Sequence, residues 1–530
     1  MHRRRGATPS EHWEKDMATQ VEALPDGGPD DDGGEVGELG DGDDALAAPG
    51  ALDGPSAPSR RWPPSLNAVV GGAFALWGLV IGLAPLRDNS FLTHLATGRL
   101  LLDGGIPTAD PYSWTAQGSP WVVQSWLASL VYGLADQLGG GTGLRLLMGA
   151  LTAVLAALVW RLARPAGSLI ARVAIVALVV GIGTEAWTER PLLFGLVFLA
   201  VLLVAAEDGL DPRWAVPVFW LWVNVHGSFP LGLVALGLLA LGRHLDGGSS
   251  RTERRVLLWG LLGTALGALN PLGPKLLLFP VQLLSKQETL RNIVEWKSPT
   301  FDTVGQRLFL VQVVVAVVLL VRRPSYRVAL PLVVFTAAAL LGLRNVPVAS
   351  LVLVPGMAIG VAGLGSIDGA RRSLGTAVGA IALVALGLLV TVSESGRENF
   401  ALGAYPVDAV EWLDGEGLVG TDVRLVSRDY VGNYLEALEG DDVRVFMDDR
   451  YDMYPAEVSA DYIDLVKGLD PGAVLERHDA EVVLWDRDTP FASWLEEADG
   501  WGVVYEDDDW IVACPRADAE APARCPVPAS

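Results

Sequence analysis

The run LNAVVGGAFALWGLVIGLAPL (residues 66–86) passes straight into RDNSFLTHLATGRLLLDGGIPTADPYSWTAQGSPWVVQSWL (residues 87–127), and this junction decides the fold. The first piece has the roughly 20 apolar residues that a helix needs to cross a bilayer. The second carries Asp88, His94, Arg99 and Asp110, with Trp114, Trp121 and Trp126, between Gly and Pro punctuation. A connecting loop of that chemistry points to a site built at a membrane surface.

Working outward, further apolar runs lie at about 141–160, 173–188, 191–206, 214–225, 229–242, 256–270, 307–321, 328–343, 346–364 and 373–393. With 66–86 they make about eleven spans, several of them short. Arg60–Arg61, Arg161/Arg164/Arg172, Arg213, Arg243/Arg251/Arg254/Arg255, Arg322/Arg323/Arg327 and Arg371–Arg372 fall in alternate connections, which the positive-inside rule assigns to the cytoplasm. The expectation is a mainly α, polytopic helical bundle in the cytoplasmic membrane, N-terminus inside and C-terminal domain outside. Residues 125–138 are then expected as a helix lying on the outer surface.

Charge divides the chain the same way. Residues 1–61 hold 14 acidic against 6 basic side chains, residues 62–393 hold 15 against 23, and residues 394–530 hold 33 against 10. The first stretch is Gly/Asp/Pro-rich without apolar periodicity and is expected to be a disordered cytoplasmic tail. The second is the membrane domain, with its outer loop at 87–127. In residues 394–515, strand-like runs at 423–427, 443–448, 481–486, 501–506 and 510–514 alternate with helical stretches near 406–414, 430–438, 456–468 and 491–498. This predicts a small extracytoplasmic α/β domain ending in a hairpin, followed by a flexible tail at 516–530. Cys514 and Cys525, the two cysteines of the chain, either close a short disulfide loop or stay as thiols. No clustered basic stretch invites nucleic acid, and no Walker A, dinucleotide, HExxH or GxSxG signature is present.

This topology brings the unusual polar residues to the outer side, where carboxylates, imidazoles and guanidiniums at membrane depth usually line a cavity. Asp88 is a candidate general base or metal ligand, with His94 and Asp110 as its catalytic partners; capping of a helix and initiation of a turn are the structural alternatives. Arg190 and Arg344 suit a phosphate clamp, or equally ion pairs with Glu189 or Glu295. Asn224, His226, Glu295, Trp296 and Asn345 complete the candidate binding set. The second outer loop, 271–306, could cover the site.

Several ordered motifs then resemble one family: D-x5-H-L-x2-G-R (Asp88 to Arg99), G-x-P-x2-D-P-x-S (Gly105 to Ser113), W-x4-W-L (Trp121 to Leu127), R-P-x-L-F (Arg190 to Phe194) and W-x-N-x-H-G-x-F (Trp222 to Phe229). N-P-x-G (Asn270 to Gly273), E-W-x-S-P (Glu295 to Pro299), R-N-x-P (Arg344 to Pro347) and D-x-R-x-D-x-Y (Asp448 to Tyr454) continue it. The chain is similar to bacterial multi-pass proteins grouped with GT-C type glycosyltransferases. The resemblance implies transfer of a sugar from a polyprenyl-phosphate donor outside the membrane, aided by a divalent metal (Mg or Mn) for which Asp88 and Asp110 are the candidate ligands. The family pattern favours D-x-D at the loop start, whereas here Asp88-Asn89-Ser90 lacks the second carboxylate. A transporter or flippase of lipid-linked glycans, and a non-catalytic envelope scaffold, remain the alternatives.

Overall fold

The computed structural model describes residues 62–516 apart from 208, 286–293, 365–366 and 368. The acidic tail 1–61, the final residues 517–530 and Cys525 lie outside the described residues. Cys514 is buried and disulfide-bonded.

Each expected apolar run coincides with a helix: α1 (Leu66–Gly82), α3 (Trp126–Leu162), α4 (Leu169–Ala186), α5 (Leu192–Ala206), α6 (Ala215–Val225), α7 (Phe229–Leu245), α8 (Arg251–Leu266), α10 (Val304–Arg322), α11 (Tyr326–Leu341), α12 (Val346–Val361) and α13 (Leu374–Ser395). Five helical segments have the length and hydropathy to cross a membrane: Trp126–Ala166, Leu169–Ala186, Val304–Arg322, Leu343–Val361 and Leu374–Ser395. α1, α5, α7 and α11 are shorter apolar helices. α2 (Asn89–Gly104) and α9 (Lys275–Ser285) lie in the connections after α1 and α8.

α3 is two helices in one. Gly140, at φ 56° and ψ −151°, breaks it where residues 125–138 were expected to leave the membrane helix. A side chain is disfavoured there, because left-handed φ crowds Cβ. The first half packs on α2, the second on α1. Gly98 of α2 and Gly133 of α3 face one another so closely that a Cβ on either would meet the other helix's backbone. Gly98→Val should therefore cost about 2 kcal/mol or more, since backbone cannot yield as a side chain can. A melting temperature unchanged in detergent would refute that crossing.

Charged residues staple both ends of the bundle. Arg145, 1% exposed, donates to the Leu83 and Glu394 carbonyls at 2.9 and 2.8 Å, joining the ends of α1 and α13. The departing chains then run side by side, with Leu86 N on the Asn399 carbonyl at 2.9 Å and Ala401 N on the Leu86 carbonyl at 2.8 Å. At the other ends of α5, α7 and α11, Arg327 meets Glu207 at 2.5 Å and Glu253 at 3.1 Å, and Arg243 meets Glu253 at 2.5 Å.

The C-terminal domain contains α14 (Val407–Gly415), β1 (Leu425–Ser427), α15 (Asp429–Glu439), α16 (Ala456–Lys467), α17 (Pro471–Arg477), β2 (Val482–Asp486), α18 (Pro490–Glu497), β3 (Trp501–Glu506) and β4 (Trp510–Pro515). The sheet order is β1-β2-β4-β3, with β1 parallel to β2 and the rest antiparallel. The terminal hairpin is as expected, and its turn is held by Asp507 accepting from Asp509 N and Trp510 N. One expected strand is corrected: residues 443–448 form no ladder. Val445 makes single bridges to Leu425 and Ser113 instead, because residues 112–114 take the place beside it, pairing at 3.0 and 3.1 Å. The loop after α2 is thus stitched to the sheet edge of a domain more than 300 residues away in sequence.

Candidate active site

The α4–α5 turn, the end of α6, α9 and the turns at Val294–Trp296 and Leu343–Asn345 face α2 and the C-terminal domain. There they enclose a cavity of about 550 Å³, a size typical of small-molecule sites. One wall comes from the helical bundle. Arg190, in the turn between α4 and α5, binds Asp88 Oδ2 through Nε at 2.6 Å and pairs with Glu295 through Nη1. Arg344 lies 4.4 Å above the Trp296 ring. The turn at Val294–Trp296 reaches this place because Leu343 N donates to the Lys297 carbonyl at 2.9 Å, tying it to the turn at Leu343–Asn345. Burial opposes the charge on Arg190, but Asp88 and Glu295 together hold it protonated more firmly than usual.

His94 and His226 also line the cavity. His94 Nδ1 meets Ser129 Oγ at 3.0 Å and His226 Nδ1 meets Ser228 Oγ at 2.8 Å. Burial, only partly offset by Asp88, lowers His94 to about 4. Burial, aided by the nearby Arg344, lowers His226 to about 3. Both imidazoles are therefore neutral at pH 7 and act as hydrogen-bonding groups, not as phosphate-binding cations.

The other expected residues stand outside the lining. Asp88 caps α2, accepting from Ser90 N at 3.1 Å, and spends its second oxygen on Arg190. Asn224 is fully buried, accepting from Trp126 Nε1 at 3.0 Å and donating to the Trp220 carbonyl at 2.7 Å. Asn345 caps α11 by donating to the Ala338 carbonyl at 3.0 Å. Asp110 begins a turn, accepting from Ser113 N at 3.0 Å and Ser113 Oγ at 2.5 Å, and pairs with Arg450 at 2.6 Å. Asp88 and Asp110 thus serve different partners. Among the described residues no group of three or more His, Cys, Asp or Glu is placed to hold a metal ion, and Asp88 and Asp110 do not form a shared ligand pair. Removing a buried partner leaves polar groups unsatisfied, and Asp110→Ala should lower stability by about 3 kcal/mol. Unchanged thermal unfolding of that variant would show the Asp110–Arg450 tie to be idle.

The facing wall comes from the C-terminal domain, at the Asp448 to Tyr454 motif, none of whose residues was among the expected site residues. Asp448 and Arg450 form its buried frame. Arg450 holds Asp448 at 2.9 and 2.5 Å and sits 4.4 and 4.8 Å from the Trp121 and Tyr112 rings, while Tyr454 donates to Asp448 at 2.7 Å. The residue between them, Asp449, turns into the cavity and accepts from the Ser90 hydroxyl. Its amide is fixed on Asn433 Oδ1 at 3.1 Å. Burial, helped by Asp448 and Asp429 and opposed by Ser90 and Arg190, raises its carboxyl from 3.8 to about 7. A carboxylate of the C-terminal domain thus sits on the hydroxyl of Ser90, 359 positions away in the chain.

Beyond Asp449, Asp429 accepts from Tyr451 and Tyr462 hydroxyls at 2.9 and 2.7 Å. Arg428 pairs with Asp486 at 2.5 Å, and Tyr430 donates to the same carboxylate at 2.7 Å. Among the described residues, four buried polar atoms of the cavity lining have no hydrogen-bond partner: Gln124 Oε1, Ser125 Oγ, Arg428 Nε and Arg450 Nη1. Such atoms are costly to leave unpaired, and here they border a space where a polar ligand would satisfy them.

No family model matches the chain, and no curated protein matches it.

Proposed function

We propose that the protein is a GT-C-like membrane glycosyltransferase that moves a sugar from a polyprenyl-phosphate donor to an acceptor outside the cytoplasmic membrane. The reading includes eleven spans, a cytoplasmic N-terminus and an extracytoplasmic C-terminal domain. The observation that carries it is Asp449: a carboxyl raised to about 7, facing Arg190, Arg344 and the neutral histidines across one cavity. A base poised near the working pH is what removal of a hydroxyl proton requires.

In this mechanism Asp449 takes the proton of the acceptor hydroxyl as its oxygen attacks the anomeric carbon. The bond from that carbon to the donor phosphate oxygen breaks, and the electron pair leaves on the lipid phosphate. Arg190 and Arg344 neutralise the charge that develops there. Asp88 and Glu295 position Arg190; Asp88 is a positioning residue, not the base. His94 and His226, neutral, orient the phosphate or sugar by hydrogen bonds. Incubating membranes that contain the protein with radiolabelled polyprenyl-phosphate hexoses and pentoses should release label into a glycan or lipid fraction. Failure of every donor, with the protein folded and present, would refute the transferase reading.

A further inference from the structure

We infer that the cavity holds two molecules at once, and that its domain-side half is an acceptor subsite shaped for a neutral, hydroxyl-rich molecule such as a glycan end. This deepens the transferase reading and rests on it. The cavity is chemically lopsided. The bundle wall offers Arg190, Arg344 and Trp296, suited to an anion on a lipid. The domain wall offers hydrogen-bond acceptors and phenols.

Asp429 is the clearest case. Its carboxylate lines the cavity but is held by two tyrosine hydroxyls, and no ion pair to it exists among the described residues. A carboxylate has about four lone-pair directions, so capacity remains for hydroxyl donors from a ligand. Both guanidiniums of this wall are neutralised, Arg428 by Asp486 at 2.5 Å and Arg450 by Asp448 and Asp110, yet the buried Nε of Arg428 has no partner among the described residues. Arg450, only 8% exposed, likewise presents an unpartnered Nη1, and Ser125, 2% exposed, an unpartnered hydroxyl. Donors and acceptors therefore alternate around a space whose local charge is negative, with Asp429 and Asp449 on one side. Hydroxyls, each both donor and acceptor, match that lining. A phosphate or carboxylate would meet like charge. Asp449 stands between the halves, beside Ser90 and within the field of both Arg190 and Asp429, which is where a base must be to serve an acceptor hydroxyl against a donor carbon.

The test is binding, read without any donor. Full-length protein in lipid nanodiscs is examined by saturation-transfer NMR with neutral methyl glycosides of hexoses and pentoses, and with glucuronic acid and glucose 6-phosphate as anionic counterparts. At least one neutral glycoside should give signal and the anionic sugars weaker signal. Geranyl phosphate, a short isoprenoid phosphate, should leave the glycoside signal in place. Asp429→Asn should weaken binding about tenfold, as loss of a charge-assisted contact does, and the milder Tyr430→Phe and Tyr451→Phe should weaken it severalfold with melting temperature retained. Absence of any neutral glycoside signal, preference for the anionic sugars, displacement by geranyl phosphate, or variants that fold and bind unchanged would each overturn the inference. Retained glycoside binding with no transfer from any lipid-phosphate donor would instead count against the transferase reading alone.

Discussion

Asp449→Asn should lower sugar transfer by about 10²–10⁴-fold, the usual contribution of a positioned general base, while donor binding is largely kept. The amide preserves size and still accepts from Ser90, so the loss isolates the proton-accepting function. The wild-type pH profile carries the same signature. The base works only when ionised, so kcat/KM should rise with pH and level off above about 7, the value to which burial lifts this carboxyl. The residual rate of the variant should lack that limb.

Stability should move in the opposite sense. A carboxyl raised from 3.8 to about 7 by folding favours the folded state in its protonated form. Its contribution is full below about pH 4 and is lost as pH climbs through 7. At neutral pH the wild type therefore bears a penalty that asparagine lacks, and Asp449→Asn should be more stable by about 1–3 kcal/mol. A variant that is both less active and more heat-resistant at pH 8, with the gap closing at pH 4, is the expected pair of results. Transfer that survives in Asp449→Asn but vanishes in Asp88→Asn would return the base to Asp88.

Arg190→Gln should be the most damaging change on the opposite wall. Its guanidinium bridges Asp88 and Glu295 and is largely enclosed. Breaking these partly buried pairs strands two carboxylates, at about 1–3 kcal/mol, and leaves the donor phosphate with Arg344 alone. Transfer should fall at least about 100-fold, chiefly through donor KM. Arg190→Lys should restore little, because a point charge cannot hold Asp88 and Glu295 together as a planar fork does. The double variant Asp88→Asn/Arg190→Gln should recover part of the stability, since Glu295 alone is left without its partner, and should not recover transfer. If Arg190→Gln folds normally and keeps its donor KM, the phosphate site lies elsewhere.

Much of the frame was legible in the residues. Apolar runs long enough to bury their backbone favour helices, so their positions follow from composition, and the expected gap between 138 and 141 falls where Gly140 interrupts α3. The alternating strand and helix pattern of the last domain was legible for the same local reason, except at 443–448. There the pairing partner was a loop whose sequence gives no strand signal. His94, Arg190, His226, Glu295, Trp296 and Arg344 were visible as polar residues that lipid would not tolerate, and they do line one cavity. Asp88, Asp110, Asn224 and Asn345 carried the same signal, yet they serve as caps, turn and ties. Composition cannot tell a polar group that is satisfied by its neighbours from one left facing space.

By itself, then, the chain's periodicity determined the helices, the small sheet and the end of the bundle at which polar chemistry gathers, because those depend on local backbone bonding and on the cost of burying charge. Only the tertiary structure decided which carboxylate faces the cavity. Ser90 and Asp449 meet across 359 positions, and the properties of that carboxyl arise from burial and from charges on other elements. Such a juxtaposition has no period or spacing in the chain, and it moves the centre of the site from the loop at 87–127 to the seam between that loop and the C-terminal domain.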